Sequence, residues 1–165
     1  MIKAIRQRFP GTIIQRCQFH VIKYIRSKLT KNPKSIASQE LLFLILQISK
    51  IKSKEELKYW LTDYKYWLKN HLHFVKEKTY PINSFTPTGR PRWNYTHQKL
   101  HASYSHLKNA LPCLFRCLQH PEIQNTTNFV EGGINSQMQE KLRFHRGLNL
   151  SKRRILIAHF LNSKQ

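Results

Sequence analysis

The middle of the sequence carries a helical apolar stripe that restricts the fold more than any other feature. Ser53-x-x-Glu56 has the spacing of a capping box, in which each of the two side chains binds a backbone N–H at the start of a helix. Apolar side chains then recur at intervals of three and four residues: Leu57, Trp60, Leu61, Tyr64, Leu68 and Leu72. This spacing predicts a long amphipathic helix, which is stable only when other elements cover its apolar face.

The same helical period runs through most of the remaining sequence. Helices are predicted over 1–9, over 20–29, from Ser35 or Ser38 to about 51, along a stripe from Leu100 to Leu111 that breaks at Pro112 and resumes to Leu118, from Glu131 to about 144, and, with Ser151 as the cap, through Leu161. The helix ending near residue 51 is apolar almost all round, which predicts a position at the centre of the core. Residues 80–92 contain three prolines and a glycine and predict a loop.

One segment, Thr12–Phe19, alternates between apolar and polar residues and begins with β-branched side chains. It predicts the single strand of a fold that is otherwise mainly α. A lone strand has no partner for its backbone N–H and C=O groups, and isolated strands are not stable in water. We therefore expect this strand to pair with a chain outside the sequence, or the sequence to be a fragment of a larger protein.

The charge of the chain is extreme, with 29 Lys and Arg against 8 acids, a formal net charge of +21 and a pI near 10.3. Such a charge favours a polyanionic partner, with nucleic acid ahead of a membrane surface. The longest apolar run, Leu41–Leu46, is too short to span a bilayer, and charges interrupt the N-terminus where a signal peptide needs apolar residues. The sequence contains three cysteines, Cys17, Cys113 and Cys117. Because an odd number cannot all pair in disulfides within one chain, we expect a protein of the reducing cytoplasm.

The most informative motif for chemistry is Asn125–Asn135, which places one carboxylate, Glu131, among amides and two glycines. A purely structural interpretation makes Asn128 the N-cap of a helix and Glu131 its third residue. Gly132 and Gly133 weaken that interpretation, because each costs about 1 kcal/mol in a helix and is better explained by close approach to the backbone. Glu131 is therefore a candidate ligand for metal-assisted phosphodiester chemistry.

Cys17 and His20 form a second pair of potentially reactive side chains. Cys-x-x-His spacing occurs in zinc sites, but such sites need three or four ligands. The sequence contains no convincing second half-site, so local packing and hydrogen bonding are favoured for this pair.

Taken in order, these motifs resemble the mutator-type insertion-sequence transposases of bacteria. The resemblance is carried by Arg16–His20 after Phe9-Pro10, by Asn125–Asn128 leading into Glu131-Gly132, and by His145–Leu148. In that family a Cys-x-x-His pair follows a core strand, a helical insertion containing tryptophan comes next, and the last catalytic acid opens the final helix. The resemblance implies the C-terminal half of an RNase H-like α/β core, with residues 1–30 and 121–165 in the core and 31–120 as the helical insertion.

The resemblance also implies a catalytic site and a DNA-binding surface. Glu131 would be the last acid of the DDE triad and a ligand for Mg²⁺, with Asn128, Gly132 and Asn135 as motif residues. Arg143, His145 and Arg146 would contact DNA phosphates, although the same cations also suit a helix C-terminus. The family's first two aspartates would lie before residue 1, because the only Asp of the sequence, Asp63, is expected to be a solvated helix residue.

We therefore expect a transposase fragment that binds transposon ends and target DNA and is associated with the bacterial nucleoid. The fragment can form an oligomer with a full-length transposase, and we expect it to have no catalytic activity alone. The rival interpretation is a small basic helical protein that binds nucleic acid, in which Glu131 only stabilises a helix start. A protein that lies on a membrane surface has less support, because the charges are not segregated onto one helix face.

Overall fold

The computed structural model describes residues 2–82, 88–89 and 92–164, which are mainly helical and divide into two compact units after Asn125. The predicted divisions at residues 30 and 120 do not coincide with this one, since residues 1–30 and 31–120 lie in the same unit. The first unit contains α1 (Ile2–Arg8), α2 (Gln18–Leu29), α3 (Ile36–Gln47), α4 (Lys54–Val75), β1 (Lys78–Thr79), β2 (Asn94–Tyr95) and α5 (Gln98–Ala110), with 3₁₀ turns at Ile48–Lys50, Leu111–Cys113 and Arg116–Leu118. The second contains a π-helix (Phe129–Asn135), α6 (Ser136–Phe144) and α7 (Leu150–Asn162).

Helix α4 begins where the capping box predicts. The Ser53 Oγ accepts from the Glu56 N–H at 3.1 Å, and the Glu56 carboxylate accepts from the Ser53 N–H at 3.3 Å. Trp60 and Tyr64 of the predicted stripe are buried, as is Trp67, which the stripe did not include. Helices α2, α3, α4 and α5 enclose the core, built chiefly from leucine, isoleucine and these aromatic side chains.

Two buried indole rings of α4 are hydrogen-bonded to the backbone of α3. Trp60 donates its indole N–H to the Leu44 carbonyl at 2.8 Å, and Trp67 donates to the Ala37 carbonyl at 2.9 Å. Tyr64 stacks between the two rings, with centroids 5.5 Å from Trp60 and 6.1 Å from Trp67. Each buried N–H therefore has an acceptor, and the pairing of the two helices is fixed in register.

The prediction of a strand over Thr12–Phe19 is wrong in the structure. Residues 12–17 belong to no strand, and α2 already begins at Gln18. Single backbone hydrogen bonds anchor the segment, from the Arg16 N–H to the Cys113 carbonyl at 2.6 Å and from the Gln18 N–H to the Asn125 carbonyl at 2.9 Å. The Cys113 acceptor ends a 3₁₀ turn and the Asn125 acceptor lies outside any helix or strand, so the alternating pattern does not lead to a ladder.

The strands that the structure does contain lie elsewhere. β1 and β2 pair antiparallel, with Lys78 opposite Tyr95 and Thr79 opposite Asn94. They flank the predicted loop over 80–92, of which residues 83–87, 90 and 91 lie outside the described ranges. The mainly α prediction is confirmed, whereas the location of the strand is not.

The predicted central position of α3 is also wrong. Leu41, Leu44 and Ile45 are buried, but Ile36, Phe43 and Leu46 are exposed although they belong to the same helix. Helix α3 packs against α2 and α4, which leaves part of its circumference open to solvent.

The last helix, α7, begins earlier than predicted. Asn149, and not Ser151, caps it, because the Asn149 side chain accepts from the Lys152 N–H at 2.9 Å. Within the described ranges, no helix is both long and apolar enough to cross a membrane.

Candidate functional site

Glu131 is exposed on the π-helix of the second unit, and Thr127 holds it in place. The Glu131 N–H donates to the Thr127 carbonyl at 2.8 Å, and the Thr127 hydroxyl donates to Glu131 Oε1 at 2.6 Å. Asn128, the predicted N-cap, is itself helical at φ −57° and ψ −39° and makes no side-chain cap bond. Asn128 therefore does not act as the predicted side-chain cap, and the two bonds of Glu131 run to Thr127, four residues before it.

The predicted motif residues around Glu131 lie on the same widened turn. An added Cβ at Gly132 would meet no heavy atom within 4 Å, so packing inside the chain does not require glycine there. The Gly132 carbonyl accepts from the Ser136 hydroxyl. Asn135 is exposed at the end of the π-helix and makes no side-chain cap bond to α6. π-Helical turns are frequent at functional sites, and this one presents an acid beside an open backbone surface.

The predicted DNA-binding cations lie at the far end of α6. Arg143, His145 and Arg146 are all exposed, and the Arg146 carbonyl accepts from the Arg153 guanidinium at 3.1 Å. Arg143 follows Glu131 by twelve positions, so at the α-helical rise of 1.5 Å per residue they lie at most roughly 18 Å apart along the helix axis. One phosphate cannot touch both, but successive phosphates of a nucleic-acid strand can span such a distance.

The sequence reasoning missed a second set of cations, Lys152, Arg153 and Arg154, in the first turns of α7. All three are exposed, and the first turn contains no acid. Cations at a helix N-terminus oppose the macrodipole by about 0.3–1 kcal/mol each, so stability alone does not favour them there. An anion at the same place would pair with these cations. The run of three basic residues that follows Asn149-Leu150-Ser151 was the available signal.

Cys17 and His20 lie in the first unit, where α2 begins, and line a groove of about 920 Å³. Tyr24 and His106 stack at its edge with ring centroids 4.1 Å apart. Burial, and secondly the charge of Arg16, lower the pKa of His106 below its usual value.

No group of three or more His, Cys, Asp or Glu residues is placed to hold a metal ion within the part of the chain that the structure describes. The Mg²⁺ expectation for Glu131 therefore stays a prediction. Comparison of the chain with protein-family models, with curated proteins and with solved structures gives no match.

Proposed function

We propose that this chain is the C-terminal part of a mutator-type DNA transposase and that its second unit binds the phosphate backbone of DNA. The observation that carries the proposal is the charge of that unit: residues 126–165 contain seven Lys and Arg against two Glu. Six of the cations lie between Lys141 and Arg154, and each of them is exposed. Glu131, the acid that matches the family's last catalytic position, belongs to the same unit.

Hydrogen bonds between side chains and the backbone hold the turn that carries these cations. Asn149 caps α7, and Arg153 reaches back to the Arg146 carbonyl, so the turn between α6 and α7 is tied at two points. Cations on a fixed frame lose less conformational entropy when they bind successive phosphates. Such contacts position a protein on DNA without reading its sequence, so we expect sequence-tolerant binding.

The donor set around Glu131 does not by itself fit Mg²⁺. The ion prefers several oxygen ligands in octahedral geometry, and Glu131 is one carboxylate with one of its oxygens bound to the Thr127 hydroxyl. The proposal assigns the remaining carboxylates to residues outside this sequence. We expect the chain alone to cleave no DNA.

The test of DNA binding is its dependence on salt. Affinity should fall steeply between about 50 and 200 mM salt, and the double variant Lys152→Gln/Arg154→Gln, which leaves the Arg153 tie in place, should reduce the log–log slope by about 1.8. The matched control is Lys31→Gln/Lys34→Gln, which removes two exposed cations from the first unit and should leave the slope unchanged. An affinity that does not change over this range, or equal slopes for the two double variants, would refute the proposal.

A second candidate, a basic nucleic-acid-binding protein without catalytic ancestry, is favoured by one observation. The Thr127–Glu131 hydrogen bond gives Glu131 a local structural role that needs no metal. The genomic sequence flanking the coding region distinguishes the two candidates. A transposase predicts an upstream segment that encodes aspartate-bearing core strands, and terminal inverted repeats around the locus, whereas the second candidate predicts neither.

A further inference from the structure

The first unit has an exposed aromatic surface, which we call the α3–α4 groove, formed by Phe43 on α3 and by Tyr59 and Tyr66 on α4. Their exposed fractions are 64%, 74% and 67%, although each side chain is large and mostly apolar. Tyr59, Asp63 and Tyr66 recur at helical spacing, so they share one face of α4. Asp63 therefore lies between the two tyrosines on the wall of the groove.

The floor of the groove is rigid. Leu44, Trp60 and Trp67 form it, all three are buried, and both indoles are hydrogen-bonded to α3 carbonyls. Two adjoining cavities of about 430 and 330 Å³ open along it, and both are lined by Phe43, Leu44 and Asp63. A preformed concave surface of this size, mostly apolar with a few polar groups, is typical of a binding site.

The charge of the groove is opposite to that of the chain. The sequence has 8 acids, and three of them, Glu40, Glu56 and Asp63, line the two cavities. Lys50 also lines one of them. Glu40 pairs with His71 at 2.8 Å, and Glu56 belongs to the α4 capping box, so these two acids have local roles. Asp63 has no hydrogen-bond or ion-pair partner among the described residues, although the chain is rich in cations.

We propose that the α3–α4 groove docks a basic amphipathic helix of a partner protein. An apolar side chain of the partner would lie against Phe43 and Tyr66, and a Lys or Arg would pair with Asp63. Nucleic acid is disfavoured here because the acids repel phosphate. A second copy docked groove to groove is disfavoured because it would place acid against acid. This site does not depend on the proposed DNA binding, which concerns the other unit.

The test uses the full chain and a fluorescein-labelled synthetic helix of leucine and lysine at amphipathic spacing. We expect saturable binding by fluorescence anisotropy, and no comparable binding of the matched peptide with glutamate in place of lysine. Asp63→Asn should weaken the binding about two- to fivefold, as expected for an exposed ion pair. Phe43→Ala and Tyr66→Ala should each weaken it about tenfold, as expected for an aromatic anchor.

Matched controls separate the groove from general charge and hydrophobicity. Glu140→Gln removes an exposed acid of the second unit, and Tyr80→Ala removes an exposed aromatic outside the groove, so both should bind the peptide as the parent chain does. The proposal fails if the groove variants bind like these controls, or if the glutamate peptide binds equally well. It also fails if sedimentation shows self-association that Phe43→Ala abolishes, because the occupant is then a second copy.

Discussion

Trp67→Phe tests whether the buried indole hydrogen bond holds α4 to α3. Trp67 is 1% exposed, and its N–H lies 2.9 Å from the Ala37 carbonyl. Phenylalanine keeps the stack on Tyr64 but removes the donor, which costs about 1 kcal/mol for a typical hydrogen bond. The smaller ring also leaves a cavity of roughly 40 Å³, worth about 1 kcal/mol. We therefore expect the free energy of unfolding to fall by about 2 kcal/mol, a large share of the roughly 5–15 kcal/mol of a typical domain.

The assay is equilibrium urea unfolding followed by far-ultraviolet circular dichroism. Trp93→Phe is the matched control, because Trp93 is exposed and its ring faces the Lys78 ammonium at 4.0 Å instead of a backbone acceptor. We expect the control to change the stability by less than about 0.5 kcal/mol. Equal midpoints for the two variants would show that the indole bond contributes nothing to the pairing of α3 and α4.

Two further predictions concern a helix cap and the dependence of stability on pH. Ser53→Ala removes the side-chain acceptor of the Glu56 N–H, so urea unfolding should show a loss of about 1 kcal/mol, and an unchanged midpoint would contradict the cap assignment. Burial and Arg16 lower the pKa of His106 in the folded chain, so the unfolded chain takes up the proton first, near pH 6.5, and stability should decline as the pH falls below that value. His106→Gln should make urea unfolding less sensitive to pH between about 5 and 7.5, and an unchanged pH dependence would contradict the assignment.

Local signals determined most of the helices. Ser53 with Glu56, and Ser35, mark the starts of α4 and α3 because a cap involves only residues three positions apart. The same locality explains the two cap errors. Ser151 is a good capping residue, but Asn149 is equally suitable and caps α7, whereas Asn128 is itself helical and makes no cap bond.

Tertiary contacts decided that the segment Thr12–Phe19 forms no strand. The sequence gives this segment the alternation of a strand, but a strand exists only if a neighbouring strand supplies its hydrogen bonds. In the structure the acceptors come from Cys113 and Asn125, far away in the sequence, and no local pattern predicts that pairing.

The composition by itself determined the cationic character of the chain, and the order of residues determined that Glu131 lies among amides and glycines. Only the packing of α3 along α4 decided that Trp67 is buried while Phe43 is exposed, since both are large aromatic residues within helices. The same packing brings Glu40 and Asp63 to one groove although they are distant in the sequence. Periodicity states which side chains share a helix face, but which faces are covered depends on how the helices cross, and that is a property of the whole fold.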